Sequence, residues 1–328
     1  MSCKTVLMWM VLPALLASGA VEAQSSTPYP SRPIRMIVPV VPGGSIDFVA
    51  RIIQPRFSEW LGQQVVVDNR PGASGNIGVE LTALAPADGH TILLGNVGVT
   101  AINPSVFPKF PVHAGRDLKP LTLLVDVPGA LGVHAAVPVA TLREFIEYAK
   151  ARPGQLNYGS SAASSAQSLA MEYFMAKAGI KLTSIPYKGG AGAATLAVLA
   201  GEVTAAPLTT ASFVPHLKGG KIKVLAVISA RRVSQLPDVP TMIEHGFPEL
   251  RLGSWMGLFV AKQTPPAIVK RLFDTALRAA ADAATVERLT GGGAEIVTSK
   301  SPEEFAQFMQ VQTAFWAQRV AEAGIAVQ

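Results

Sequence analysis

Four times along this chain an apolar, extended run stops at a turn of small residues, and a helical pattern begins at once. The turns are Pro42 to Asp47, Gly72 to Asn76, Ser160 to Ala166 and Lys188 to Gly192. Strands separated by helices cannot pair through tight hairpins. They pair in parallel, with helices covering both faces of the sheet. The repeated unit therefore predicts an α/β fold. Ligands of open α/β sheets bind beyond the carboxyl ends of the strands, where these turns lie. A single turn of this kind needs glycine and serine whatever its role. The first and third together point to a site, because both precede strong helices and both expose small residues.

The first turn is the most informative. Ile34 to Val41 is an extended apolar run, Pro42-Gly43-Gly44 turns the chain, and a helix begins at about Ile46. A helix start leaves backbone N–H groups unpaired and carries about half a positive charge, which favours an anion. Gly43 and Gly44 let a ligand approach the main chain closely, with Ser45 and Ile46 directly after them. Asp47 reads first as a helix-start residue and second as a ligand contact. The third turn offers the hydroxyls of Ser160, Ser161, Ser164 and Ser165 before Ala166. Asn96 lies in a further small-residue turn. Lys188 could meet a ligand anion, although a lysine there is by default solvated.

Other segments fill in the rhythm. Phe48 to Leu61 is amphipathic, and Pro55 should kink it. Leu142 to Ala151, Gln167 to Ala178, Ala193 to Ala200, Ala267 to Ala281 and Glu303 to Ala323 read as helices. Val65 to Asp68, Thr91 to Gly95, Leu121 to Val127, Ala130 to His134, Val224 to Ile228 and Leu258 to Ala261 read as strands. The last two could carry the chain between lobes.

With 328 residues, 49% of them hydrophobic, the chain has material for about two domains. Its net charge of +6 is scattered, with no basic run or aromatic RNA signature, so nucleic acid is not an expected partner. Mild attraction for acidic small molecules is the more natural consequence. Lys4, the apolar Val6 to Ala17 and Val21-Glu22-Ala23 have the form of an export signal over residues 1–23, cleaved near Ala23. The single cysteine, Cys3, lies inside it, so the mature chain has no disulfide or thiol chemistry. Five dispersed histidines show no metal-ligand spacing. Nucleophile-elbow, phosphate-loop and dinucleotide-turn motifs are all missing. No catalytic residue, metal or cofactor is expected.

A set of segments in order resembles one family. They are Tyr29 to Arg35, Val38 to Asp47, Asp68 to Ala73, Gly75 to Gly78, Ala87 to Gly95, Pro153 to Tyr158, Pro186 to Gly189, Leu236 to Thr241 and Thr264-Pro265. Together they resemble the extracytoplasmic solute receptors of tripartite tricarboxylate transporters, the Bug proteins. The resemblance implies a two-lobed, type II-like periplasmic binding fold with mostly parallel sheets. It implies a monomer that closes on a small carboxylate and delivers it to a membrane permease. Lobe 1 is expected over 29–126 with part of 255–290, and lobe 2 over 127–250 with part of 291–328. The clasping loops would be Pro42 to Asp47 and Ser160 to Ser168. The chain departs from the family pattern in both. Ser45 and Ile46 replace a glycine and a threonine, and the second loop lacks the usual Gly-Asn-Gly-Ser-Thr-Ser-His. Leu208-Thr209 stands where an Asp-Asn pair is common, which makes Thr209 a candidate contact. Ile46 and Leu208 imply a less polar pocket. An exported sensor partner and an exported hydrolase using the serine-rich loop are the alternative readings.

Overall fold

The computed structural model describes residues 28–161, 165–250 and 253–322. The expected leader lies outside these residues. The chain opens with β1 (Ile34–Val38), α1 (Ser45–Leu61), β2 (Val65–Asn69), α2 (Asn76–Ala83) and β3 (Thr91–Asn96). Short helices α3 (Asn103–Val106) and α4 (Ala114–Asp117) lead into the long strand β4 (Leu118–Val127). The middle third is β5 (Gly129–His134), α5 (Leu142–Lys150), β6 (Leu156–Ser160), α6 (Ala166–Ala178), β7 (Leu182–Pro186) and α7 (Gly190–Ala200). It ends with β8 (Ala205–Thr209), α8 (Thr210–Phe213) and β9 (Ile222–Ile228). The chain finishes with β10 (Ser254–Ala261), α9 (Pro266–Ala281), α10 (Ala283–Gly291), β11 (Glu295–Ile296) and α11 (Pro302–Glu322).

The strands form two sheets, in the orders β11-β4-β10-β3-β1-β2 and β7-β6-β8-β5-β9. Among the named strands, β1 pairs parallel with β2 and β3, and β6 with β7 and β8. β10 and β11 pair antiparallel in the first sheet, and β5 does so in the second. The sheets are more mixed than the strand–helix rhythm implies. The strands next to the passages between lobes, β4 to β5 and β9 to β10, enter without a helical crossover and so run antiparallel to their neighbours.

Each sheet is covered on both faces. One apolar cluster joins β1 to α1 and α9, and a second joins the opposite face of the same sheet to α11. Two further clusters sandwich the second sheet between α5 with α6 and α7 with α8. α1 buries Ile46, Val49, Ile52, Ile53 and Phe57, a helical spacing that contributes about 1.5–3 kcal/mol per side chain on full burial. Gly62 ends this helix in the left-handed conformation, φ 70°. Pro55 lies inside α1, and the helix continues through it to Leu61.

One lobe assignment is corrected. Part of 291–328 is expected in the second lobe, but β11 pairs with β4 and α11 packs on β4 and α3, so both elements belong with the first sheet. The reason is apolar: Phe305, Met309, Trp316 and Val320 on α11 fill the cluster beneath β10 and the segment 97–112.

Candidate functional site

The first turn is built around a carboxylate that holds its own loop. Gly43 has φ 88°, a conformation that favours glycine, and Gly44 is the residue before α1, with no side chain capping the helix. Among the described residues the amides of Gly44, Ser45 and Ile46 have no hydrogen-bond acceptor. Asp47 is only 4% exposed. Its carboxylate accepts from the Gly43 amide (3.0 Å), Arg51 Nε (2.9 Å) and Asn69 Nδ2 (3.0 Å). Asn69 Nδ2 also donates to the Val40 carbonyl at 3.1 Å, tying the loop to β2. Burial alone would raise the Asp47 pKa. The bonds from Arg51, Gly43 and Asn69 outweigh it and hold the carboxyl below its ordinary value. Asp47 is thus saturated by its own loop, and the residue that precedes the helix is Gly44.

At the end of β3, Asn96 Oδ1 accepts from the Val99 amide (3.1 Å), and its Nδ2 donates to Ser254 Oγ at the start of β10 (3.4 Å). The second lobe presents three helix starts. Ser165 caps α6: its Oγ accepts from the Ser168 amide (3.1 Å) and donates to Ser168 Oγ (2.8 Å). Gly190 begins α7, and its amide donates to the Tyr187 carbonyl at 2.9 Å. Thr209 precedes α8 and shares a hydrogen bond with Ser212 at 3.1 Å.

The lobes meet across these turns. A Cβ placed on Gly190 would lie 3.7 Å from Val41 Cγ2, and one on Gly192 would lie 3.9 Å from the Gly43 carbonyl. Thr210 Oγ1 donates to the Gly293 carbonyl at 2.8 Å. Ala166 and Leu169 of α6 pack into the apolar cluster that holds α11. The two lobes are therefore in contact on either side of the cleft.

Between them lies a cavity of about 120 Å³. The first lobe contributes Val40, Val41, Gly44, Ser45 and Ile46, with Ser74, Asn96, Gly98, Val99 and Ser254. The second contributes Ser161, Ser165, Gln167, Gly190, Ala191, Leu208 and Thr209. No ionisable side chain is among them. Of the residues predicted from sequence, Gly44, Ser45, Ile46, Asn96, Ser161, Ser165 and Thr209 line this cavity. Pro42, Gly43 and Asp47 shape the first turn without lining it. Ser160 is buried, receiving a bond from Ser184 Oγ at 3.4 Å. Ala166 is packed in the core, and Lys188 is exposed to solvent. Ser164 lies outside the described residues.

Several lining residues escaped sequence reasoning. Gly190 and Ala191 belong to the fourth turn, which carried a signal. Val40 and Val41 read as strand, whereas β1 ends at Val38. Gln167 and Ser254 carried no local signal. A larger groove of about 550 Å³ lies between α6 and α11, away from the uncapped helix start. Its charges include the internal pair Arg319–Glu322.

Comparison with known proteins follows from this geometry. The family model described as "Tripartite tricarboxylate transporter family receptor" matches residues 49–325. Protein BugT of Bordetella pertussis is 35% identical over 311 residues, covering 94% of this chain and 95% of BugT. A Rhodopseudomonas palustris protein, Rpa4515, solved with adipate, superposes with a TM-score of 0.86 at 34% identity, covering 91% of this chain and 99% of that one. MatC of the same organism, solved with bound malate, gives 0.83 at 30% identity, covering 89% and 100%. The fold of these relatives is the fold described above.

Proposed function

Because this chain belongs to the tripartite tricarboxylate transporter receptor family and is a solute-binding receptor of the Bug type, we propose that it captures a small carboxylate in the 120 Å³ cavity between its lobes. The observation that carries this reading is the uncapped start of α1. Its adjacent amides, Gly44 to Ile46, stand at the space between the lobes, which the second lobe lines from the other side. A carboxylate there meets unpaired donors and the positive end of a helix of 17 residues. Hydrogen bonds to a charged group contribute about 1.5–3 kcal/mol each, so three give roughly 5–9 kcal/mol before ordering costs. Micromolar affinity needs about 8 kcal/mol. Apolar contact with Val40, Ile46 and Leu208 supplies the remainder. No covalent step is involved: among the described residues, the Ser160 and Ser165 hydroxyls bond to other serines, not to a base. That arrangement supports holding over hydrolysis.

The receptor works outside the cytoplasmic membrane after removal of residues 1–23, and its closed form delivers the acid to the transporter's permease. Ligand affinity favours the closed arrangement because only closure completes the cavity. The relatives solved with adipate and malate support a carboxylate as ligand class. Calorimetry of the mature protein against a panel of small acids tests capture, and carboxylic acids are expected to release heat where the matching primary amides do not. Equal binding of acids and amides refutes the reading. Uptake of the bound acid by cells with and without this gene tests delivery.

A further inference from the structure

The carboxyl end of α10 is capped from the opposite lobe. A helix leaves its last carbonyls without partners and carries partial negative charge there, so it attracts donors. α10 ends at Gly291, and the turn Gly291-Gly292-Gly293 leads on to β11 in the first sheet. Three side chains of the second lobe converge on this stretch. Thr210 Oγ1 donates to the Gly293 carbonyl at 2.8 Å, Gln235 Nε2 donates to the Thr290 carbonyl, and Arg231 Nη2 lies 3.5 Å from Glu295 Oε2. Thr210 opens α8, and Gln235 lies between Val233 and Leu236, which are both packed in a cluster of the second lobe. The three contacts are unequal. The Arg231 side chain is 80% exposed, and an ion pair in water contributes little. Thr210 is fully buried, and its amide is fixed to the Pro128 carbonyl (2.8 Å) in the passage from β4 to β5. Parting the lobes here takes a buried hydroxyl from its acceptor, which costs more than an exposed pair does.

The glycine turn also touches the elements that line the cleft. A Cβ on Gly292 would run into the Phe48 ring, and the Phe48 amide donates to the Gly44 carbonyl at the start of α1 (2.9 Å). A Cβ on Gly293 would lie 3.0 Å from Thr210 Oγ1 and 3.1 Å from the Ala211 nitrogen, at φ 90°. Only glycine allows so close an approach. Thr210 follows Thr209, and Thr209 and Gly44 both line the cavity. On the premise that the cleft is the acid's site, we propose that Thr210 is a positioning residue whose bond to Gly293 latches the two lobes in the arrangement that holds the ligand. The latch touches no ligand. A bond made in one arrangement and lost in the other shifts their balance by its own worth, so the affinity for every acid changes by one common factor.

Calorimetry of malate, adipate and succinate against the mature protein tests this in wild type, Thr210→Val and Thr210→Ser. Valine keeps the shape of threonine without the donor, and serine keeps the donor. Thr210→Val is expected to weaken each acid that wild type binds by the same factor, about five- to tenfold. Thr210→Ser should stay within about threefold of wild type. Gln235→Leu, which removes the bond to Thr290 away from the cavity, should also weaken all the acids by one factor, and it decides the matter if Thr210→Val does not fold. Unchanged affinities in the folded variants would overturn the latch and leave Thr210 a packing residue. Losses that differ between acids by more than about threefold would overturn it in favour of a disturbed ligand contact at Thr209. Serine as weak as valine would overturn it by removing the hydroxyl as the cause. A wild type that binds none of the three acids at millimolar concentration would take away the carboxylate premise, and the latch with it, before any variant is compared.

Discussion

Replacing Asp47 separates a residue that braces the site from one that touches the ligand. In the Asp47→Ala protein three hydrogen bonds are lost, from the Gly43 amide, Arg51 Nε and Asn69 Nδ2. Each such bond to a charge contributes about 1.5–3 kcal/mol when its partner is left dry. Here the partners reach water: Gly43 is exposed, Asn69 is half-buried and the Arg51 side chain is 55% exposed. The loss per bond therefore falls toward the neutral value of about 0.5–1.5 kcal/mol. With about 0.3–1 kcal/mol for a carboxylate near a helix start, the expected destabilisation is about 2–5.5 kcal/mol. Asp47→Asn keeps one acceptor and should lose about half as much. Urea unfolding of the two variants and the wild type measures this. The pH dependence has a definite sign. The folded-state pKa of Asp47 lies below 3.8, so its contribution is complete above that value and fades as pH falls through the lower folded one. The gap between wild type and Asp47→Asn should therefore close in acid. Stability of Asp47→Ala within about 0.5 kcal/mol of wild type would refute the bracing role. Asp47→Asn with unchanged stability and abolished binding would make the residue a direct ligand contact.

The neighbouring glycines should behave differently from each other. Gly44 has ordinary extended backbone, and a Cβ there would sit 3.6 Å from Val40 Cγ2. Gly44→Val should fold while placing methyl groups in the cavity, and calorimetry with the tightest-binding acid of the panel should show at least about a tenfold loss of affinity. Gly43→Val meets nothing within 4 Å but must hold φ 88°, so its cost, read by urea unfolding, is about 1–2 kcal/mol of backbone strain. Gly192→Leu places a side chain between the lobes where the Gly43 carbonyl lies, and scattering with the tightest-binding acid of the panel at saturation should show a wider particle than wild type. Burial first, and Glu295 second, push the Asp126 carboxyl up to about 7. Its folded pKa exceeds the unfolded one, so wild-type stability should fall as pH rises from about 4 to 7, by at most about 4 kcal/mol, and Asp126→Asn should flatten that slope in urea unfolding.

The fold was legible where a local pattern decides it. The α1 register follows from Val49, Ile52, Ile53 and Phe57, and the helices expected at 267–281 and 303–323 are found at Pro266–Ala281 and Pro302–Glu322. Pairings that depend on distant segments were not legible. β11 has two residues, Glu295 and Ile296, too few for any periodicity, yet its pairing with β4 joins the chain leading into α11 to the first sheet. Gln167 and Ser254 reach the cavity only because the chain crosses between sheets, and nothing in their neighbourhoods announces it.

The site shows why residue type alone misleads at a helix start. Serine was read as a hydroxyl offered to a ligand and glycine as room for one. In α6 the Ser165 hydroxyl is engaged by the amide and hydroxyl of Ser168, so it satisfies its own helix before any guest arrives. In α1 the corresponding position is Gly44, which has no side chain to do this, and the first-turn amides remain for an anion. The two turns of similar composition thus differ in their third-residue donor, which the Ser165 cap takes in α6 and no side chain takes in α1.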